Sequence, residues 1–282
     1  MFEYVICGLG SMGIAIAEIL KSKKIPFKVL KTKNNISKIA ELGYDDIATE
    51  CLDASRPLVL FLCYPDLVTT SKKWIASLNS NKVFFVCLTG WPIINRKWPS
   101  KSNVIMYAPK AIASKLKPKK CLIALNVHQE TNEEARLLIE LNKIFEPKQT
   151  ITVSPLEETK SDLLSEQVLL CGWAPLIALL TYKKLIKSGI AKELAWEECT
   201  REASYIFETL ANLGPDGFSK KISSLALRGG YKAIKKFPIR EWDRMIDKMY
   251  SEIDNGNIFK STNTSLPSES EAQKFWEELN NE

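Results

Sequence analysis

The chain lacks any C-x-x-C spacing, any basic leader ahead of its first apolar segment and any uncharged apolar run of bilayer length, and it has one histidine. Its seven cysteines, at 7, 51, 63, 87, 121, 171 and 199, are odd in number and fall mostly inside apolar runs. That pattern fits reduced thiols better than a disulfide framework or a zinc module. The N-terminal MFEYVICGLG passes straight into a strand pattern, so no targeting segment is expected and a cytoplasmic protein is implied. VLLCGWAPLIALL at 168–180 is shorter than the roughly 20 residues of a membrane span and carries a proline, so a buried helix is expected there. Clusters of arginine and aromatic residues that would mark a nucleic-acid face are also missing. The net charge of +6 rests on dispersed lysines, which favours solubility and attraction for a small anion, with neither nucleic acid nor membrane as partner. No internal repeat is visible.

What is present is globular material, 45% hydrophobic and 26% charged over 282 residues, enough for two domains. Up to about residue 150, β-rich runs alternate with helical periods. FEYVIC, FKVL, PLVLFLC, KVFFVCL, NVIMY and CLIALNV read as strands buried on both faces, and TITV closes the set. From 156 to about 253 the pattern is helical, broken by NLGPDG and RGG. The expected fold is α/β: a Rossmann-type doubly wound parallel sheet at 1–153, an all-helical domain at 154–260, and a tail at 261–282 whose polar linker ends in an amphipathic segment around Phe275 and Trp276.

VICGLGSMG places Gly8, Gly10 and Gly13 after the first strand and before a helix, the context a dinucleotide fingerprint requires. Gly8 would make the tight turn, Gly10 would let backbone amides approach a pyrophosphate, and Gly13 would permit close helix packing; Ser11 and Met12 complete the loop. After the second strand the stretch VLKTKNNISK holds no acid to bond a ribose 2′-hydroxyl. Lys31, Lys33 and Ser37 could hold a 2′-phosphate instead, which favours NADPH, although lysines on a solvated loop would look the same.

In the helical half, Asp162 and Glu166 stand four apart, on one helix face and close enough to share a cation. Thr159, Ser161 and Asp162 would equally serve to cap a helix start. A second pair, Glu198 and Glu202, repeats the spacing, and four carboxylates from two helices suit a pair of magnesium ions. Glu197 and Glu208 are near enough that pattern alone does not choose among the acids.

SDLLSEQVLLCG and AKELAWEECTRE, with GLGSMG, YAPK at 107–110, VHQE at 127–130 and MIDKMYSEIDNGNIF, resemble the ketol-acid reductoisomerases, and the likeness covers most of the chain. The resemblance implies the smaller class of these enzymes, a homodimer with interlocked helical domains. Asp162 and Glu166 of one subunit would bind magnesium with Glu198 and Glu202 of the other. It makes Lys110, Asp162, Glu166 and Glu202 the catalytic set and Ser223 a contact for the substrate carboxylate. Leu163, Leu164 and Leu225 could be apolar neighbours of a keto-acid substrate, although core packing explains them equally well. The implied reaction is alkyl migration and NADPH-dependent reduction of a 2-hydroxy-2-alkyl-3-keto acid to a 2,3-dihydroxy acid. Two departures fall on the chemistry: Thr89, in LTGWP, stands where the family has a histidine, and AIAS at 111–114 replaces a glycine-rich stretch. The one histidine, His128, reads as structural. Thr89 favours a reductase of another keto acid or imine without migration as the alternative; a non-catalytic NADP-binding dimer is a third reading.

Overall fold

The structure is a computed structural model that describes residues 2–63, 72–94, 98–126, 132–255 and 268–281. His128 and the rest of VHQE lie outside the described residues, as does 256–267, which takes in the end of MIDKMYSEIDNGNIF and most of the expected linker. The chain divides into two compact units, Met1–Thr159 and Lys160–Glu282.

The first unit is an eight-stranded sheet: β1 (Glu3–Cys7), β2 (Phe27–Leu30), β3 (Asp46–Ile47), β4 (Leu58–Leu62), β5 (Val83–Cys87), β6 (Asn103–Lys110), β7 (Leu122–Asn126) and β8 (Gln149–Thr152). Their spatial order is β3-β2-β1-β4-β5-β6-β7-β8. Helices α1 (Ser11–Ser22), α2 (Ile36–Leu42), α3 (Lys72–Ser77), α4 (Trp91–Ile94) and α5 (Asn132–Phe145) intervene. β4 and β5 are buried at every residue, which is why they read as unbroken apolar runs. One face of the sheet packs Tyr4, Phe61 and Tyr107 against Ile16 and Leu20 of α1 and Leu137, Leu141 and Phe145 of α5. The other packs Val5, Leu60 and Phe85 against Ile75 and Leu78. Burial of each such side chain contributes about 1.5–3 kcal/mol, so the two faces dominate the stability of this unit.

The sheet departs from the all-parallel expectation at one pairing, since β6 and β7 run antiparallel. Between them lie residues 111–121, with a single short 3-10 turn at Ala113–Lys115. A chain with no crossover helix returns beside its predecessor in the opposite sense.

The second unit continues α6 (Pro155–Leu164) into a π-helical segment, Ser165–Trp173, and then α7 (Ala174–Lys187). After Gly189, with φ at 82°, come α8 (Lys192–Trp196), a second π-helical segment (Glu197–Glu202), α9 (Ala203–Lys221), α10 (Ser224–Ile234), α11 (Ile239–Asp254) and α12 (Glu269–Asn281). GPDG breaks α9 as expected: Gly214 takes φ 66° ahead of Pro215, which lacks the N–H to continue the ladder. The expected break at RGG is absent, and Arg228–Gly230 lie inside α10. Two glycines weaken a helix by roughly 2 kcal/mol in total without forbidding it.

The stretch 168–180 is helical but, Val168 apart, not buried. Residues 155–187 run as one 33-residue helix, long and apolar enough by length and composition to cross a membrane, and only 6% of its most apolar window is buried. Leu170 is 60% exposed and Leu180 50%. A single copy of this unit has too few layers to cover the helix.

Candidate functional site

In the first unit the glycine loop links β1 to α1. Gly8 has φ 103°, a conformation that side chains other than glycine rarely adopt. A Cβ on Gly13 would stand 2.0 Å from the Gly8 carbonyl oxygen, so only glycine lets α1 close onto the loop. Gly10, the N-cap of α1, has open space where its Cβ would be, and Ser11 and Met12 form the first turn. Cys7 and Cys63, at the ends of β1 and β4, are held well above the usual thiol range by burial, which keeps them protonated and inert beside the loop.

The loop after β2 is built on Asn35, whose buried side chain donates to the Leu30 carbonyl at 2.9 Å and accepts from the Thr32 N–H at 2.7 Å. Lys33 and Ser37 are exposed. Lys31 pairs with Asp46 of β3 at 3.0 Å, which corrects the reading of this corner as free of acid. The acid is fifteen positions further along the chain, and only pairing of β3 with β2 brings it to Lys31.

At the sheet edge where β5 and β6 end, three residues converge. Lys110 closes β6 and pairs with Glu158 of α6 at 2.5 Å, and the same carboxylate accepts from the Gly90 N–H at 2.5 Å. The Glu158 side chain is 1% exposed. Gly90 touches α6 so closely that a Cβ would stand 2.0 Å from the Pro155 carbonyl oxygen. Thr89, half-buried, directly precedes it. A buried carboxylate is tolerated only when its charge is met, and here an ammonium and a backbone donor meet it.

Sequence reasoning passed over Glu158, although a signal was present. Ser154, Pro155 and Glu157 are a capping box with proline at the first helical position. The Ser154 hydroxyl accepts from the Glu157 N–H at 3.2 Å while Glu157 accepts from the Ser154 N–H at 2.8 Å. That box starts the helix at Pro155, so the proposed cap at Thr159, Ser161 and Asp162 is overturned, and these residues lie in the helix interior. Counting from the true start, Glu158, Asp162 and Glu166 recur every four residues.

In the second unit, Asp162 and the half-buried Leu163 and Leu164 belong to α6, and Glu166 stands one residue into the first π segment. Glu198 and Glu202 occupy the second π segment. A side-chain hydrogen bond to Glu202 and its charge raise the Glu198 carboxyl above the ordinary 4.5. Glu197 is drawn off to Arg201 at 3.2 Å, which separates it from this pair. Two carboxylates in contact repel unless they share a proton or a cation, so this donor set fits a hard divalent ion. Gln167, beside Glu166, buries its side-chain oxygen with no hydrogen-bond partner among the described residues, the kind of acceptor that a hydrated ion satisfies. Among the described residues no three acid, histidine or cysteine side chains converge into one metal-holding group, so one chain does not unite the two pairs. Ser223 caps α10, its hydroxyl accepting from the Ala226 N–H at 3.2 Å, and Leu225 beside it is 83% exposed. Glu198 lines an apolar groove of about 760 Å³ with Trp173, Phe207 and Trp242.

A dinucleotide-type glycine loop in a Rossmann-type unit, followed along the chain by a helical unit bearing paired acids, defines a two-domain fold of the dinucleotide-binding kind. The comparisons narrow this. Residues 156–282 match the ketol-acid reductoisomerase C-terminal domain model. The ketol-acid reductoisomerase (NADP(+)) of Helicobacter acinonychis (strain Sheeba) is 28% identical over 255 residues, covering 86% of this chain and 72% of that protein. An NADH-preferring ketol-acid reductoisomerase from an uncultured archean has the same fold, with a TM-score of 0.75 at 21% identity over 91% of this chain and 83% of its own. A 1-pyrroline-5-carboxylate reductase from Streptococcus pyogenes follows at 0.61 and 18% identity, over 90% of this chain and 98% of its own. The chain is an NADP-dependent oxidoreductase similar to the ketol-acid reductoisomerases, whose C-terminal domain model matches its helical half.

Proposed function

We propose that the protein is a magnesium-dependent, NADPH-using enzyme of the ketol-acid reductoisomerase type, acting on a 2-hydroxy-2-alkyl-3-keto acid as a homodimer in the cytoplasm. The observation that carries this is the contact between Glu198 and Glu202 inside the segment that matches the family's C-terminal domain. In this reading Asp162 and Glu166 of one copy and Glu198 and Glu202 of another hold the ions, which supply Lewis acidity toward carbonyl and hydroxyl oxygens. The exposed apolar helices of a single chain support the dimer, because a second copy would cover them.

In the same reading the chain's own residues take these roles. The loop from Gly8 to Gly13, with Ser11 and Met12, offers backbone donors at a helix N-terminus to a pyrophosphate. Lys33 and Ser37, both exposed, would receive a 2′-phosphate, while Lys31 answers first to Asp46. Lys110, fixed by Glu158, is an ammonium able to donate a proton to oxygen at the reacting centre. Ser223 and the N-terminus of α10 suit the substrate carboxylate.

One observation favours a second reading, reduction without alkyl migration: Thr89 offers a hydroxyl where a base would serve the migration, on a peptide held in place by Glu158. NADPH oxidation with 2-acetolactate beside 3-hydroxy-3-methyl-2-oxobutanoate separates the two. Turnover of both supports the first reading and turnover of the rearranged compound alone the second. Turnover of neither overturns both.

A further inference from the structure

The two acid pairs share a feature that their spacing does not reveal: Glu166 lies in one π-helical segment, Ser165–Trp173, with Asp162 three residues ahead of it, and Glu198 and Glu202 lie in another, Glu197–Glu202. Such helix is rare, usually a single-turn bulge, and recurs at functional sites. Among the described residues these are the only two π segments. In the first, the Ala174 N–H bonds to the Leu169 carbonyl, five residues back. Gly172 lies five residues after Gln167, and a Cβ on it would stand 2.4 Å from the Gln167 carbonyl oxygen. Any other residue forces that carbonyl away, so Gly172 is what lets this turn close.

The geometric consequence is large. One residue of an α-helix turns the chain by about 100°, so an inserted residue rotates everything beyond it by about that angle relative to everything before. Asp162 precedes the first π segment and Glu166 lies one residue inside it, while Val168 is buried and Leu169 and Leu170 are turned outward. In the second segment Glu198 meets Glu202 while Glu197 meets Arg201, so a single helical turn sorts its acids into a free-facing pair and a neutralised one.

We propose that the two π segments are the positioning elements of the divalent-cation site, with Gly172 as the positioning residue of the first. The inference rests on the magnesium reading above and adds the device that aims the ligands. The test is calorimetric titration of magnesium into the full-length protein. Wild type is expected to bind, and its failure to bind would sink the magnesium reading itself. Gly172→Ala is expected to bind at least about tenfold more weakly, the scale seen when groups that orient metal ligands are changed. Its NADPH affinity should be unchanged, since the glycine loop is untouched. Gly229→Ala, in α10 with nothing within 4 Å of its Cβ, should bind magnesium as wild type does. A Gly172→Ala protein that binds NADPH and also binds magnesium like wild type overturns the inference. Should that variant fail to fold, amide hydrogen exchange on wild type decides: magnesium is expected to slow exchange in 165–173 and 197–202, and unaltered exchange in both overturns the proposal.

Discussion

Glu158 is the residue on which the first unit's site depends. Its carboxylate is buried and meets both Lys110 and the Gly90 amide, so Glu158→Gln keeps the shape and removes the charge that the ammonium needs. Lys110 is about one third exposed and regains some hydration, so the expected loss of unfolding free energy is about 1–3 kcal/mol, at the lower end for a broken buried pair. Urea denaturation measures it, and an unchanged midpoint would show that the pair contributes nothing. The Glu198–Glu202 contact gives a pH prediction of definite sign. The Glu198 carboxyl titrates above its ordinary 4.5 because Glu202 bonds to it and repels its charge. Its contribution to folded-state stability is therefore full below the ordinary value and is lost as pH rises through the raised one. Magnesium, which needs both carboxylates ionised, should bind more tightly as pH rises through that window, with proton release detectable by titration in buffers of different ionisation enthalpy. In Glu198→Gln the release should vanish.

At the scale of elements, the glycine loop, the start of α6 and the turn at Gly172 are three places among the described residues where backbone meets backbone too closely for a side chain. Gly13→Ala would drive a methyl into the Gly8 carbonyl and open the β1–α1 turn, so NADPH affinity should fall by about tenfold or more, as read by fluorescence titration. Unaltered affinity would remove the loop from the cofactor site. The capping box at Ser154 and Glu157 fixes where α6 begins, three residues ahead of Glu158. That box was legible in the sequence as S-P-L-E, and reading it first would have moved the helix start seven residues upstream of Asp162. The π segments were not legible, because an i, i+4 spacing reads the same whether the turn between the two residues holds 3.6 or more.

At the scale of the molecule, the first unit buries most of its large apolar residues and the second leaves many uncovered. Trp196, Phe207, Leu225 and Tyr231 are each more than half exposed in a single chain. Water does not tolerate so much open apolar area on an isolated helical unit, so a second copy is the expected cover. Sedimentation should show a dimer at micromolar concentration, and the melting temperature should rise with protein concentration, as mass action requires when folding and association are linked. A monomer with a concentration-independent melting temperature would overturn the dimer.

The sequence alone determined the strands buried on both faces, the glycine turn and the division into a β-rich and a helical half. Each of these is a local pattern: unbroken apolar runs, three glycines at fixed spacing, a change of period near residue 150. Only the tertiary structure decided that Asp46 reaches Lys31, that Glu158 joins Gly90 to Lys110, that Glu198 faces Glu202 while Glu197 turns to Arg201, and that the apolar helix at 168–180 stays open. These relations depend on strand pairing, on helix register or on what a single chain can cover, and such distances in space are not encoded by distance along the chain.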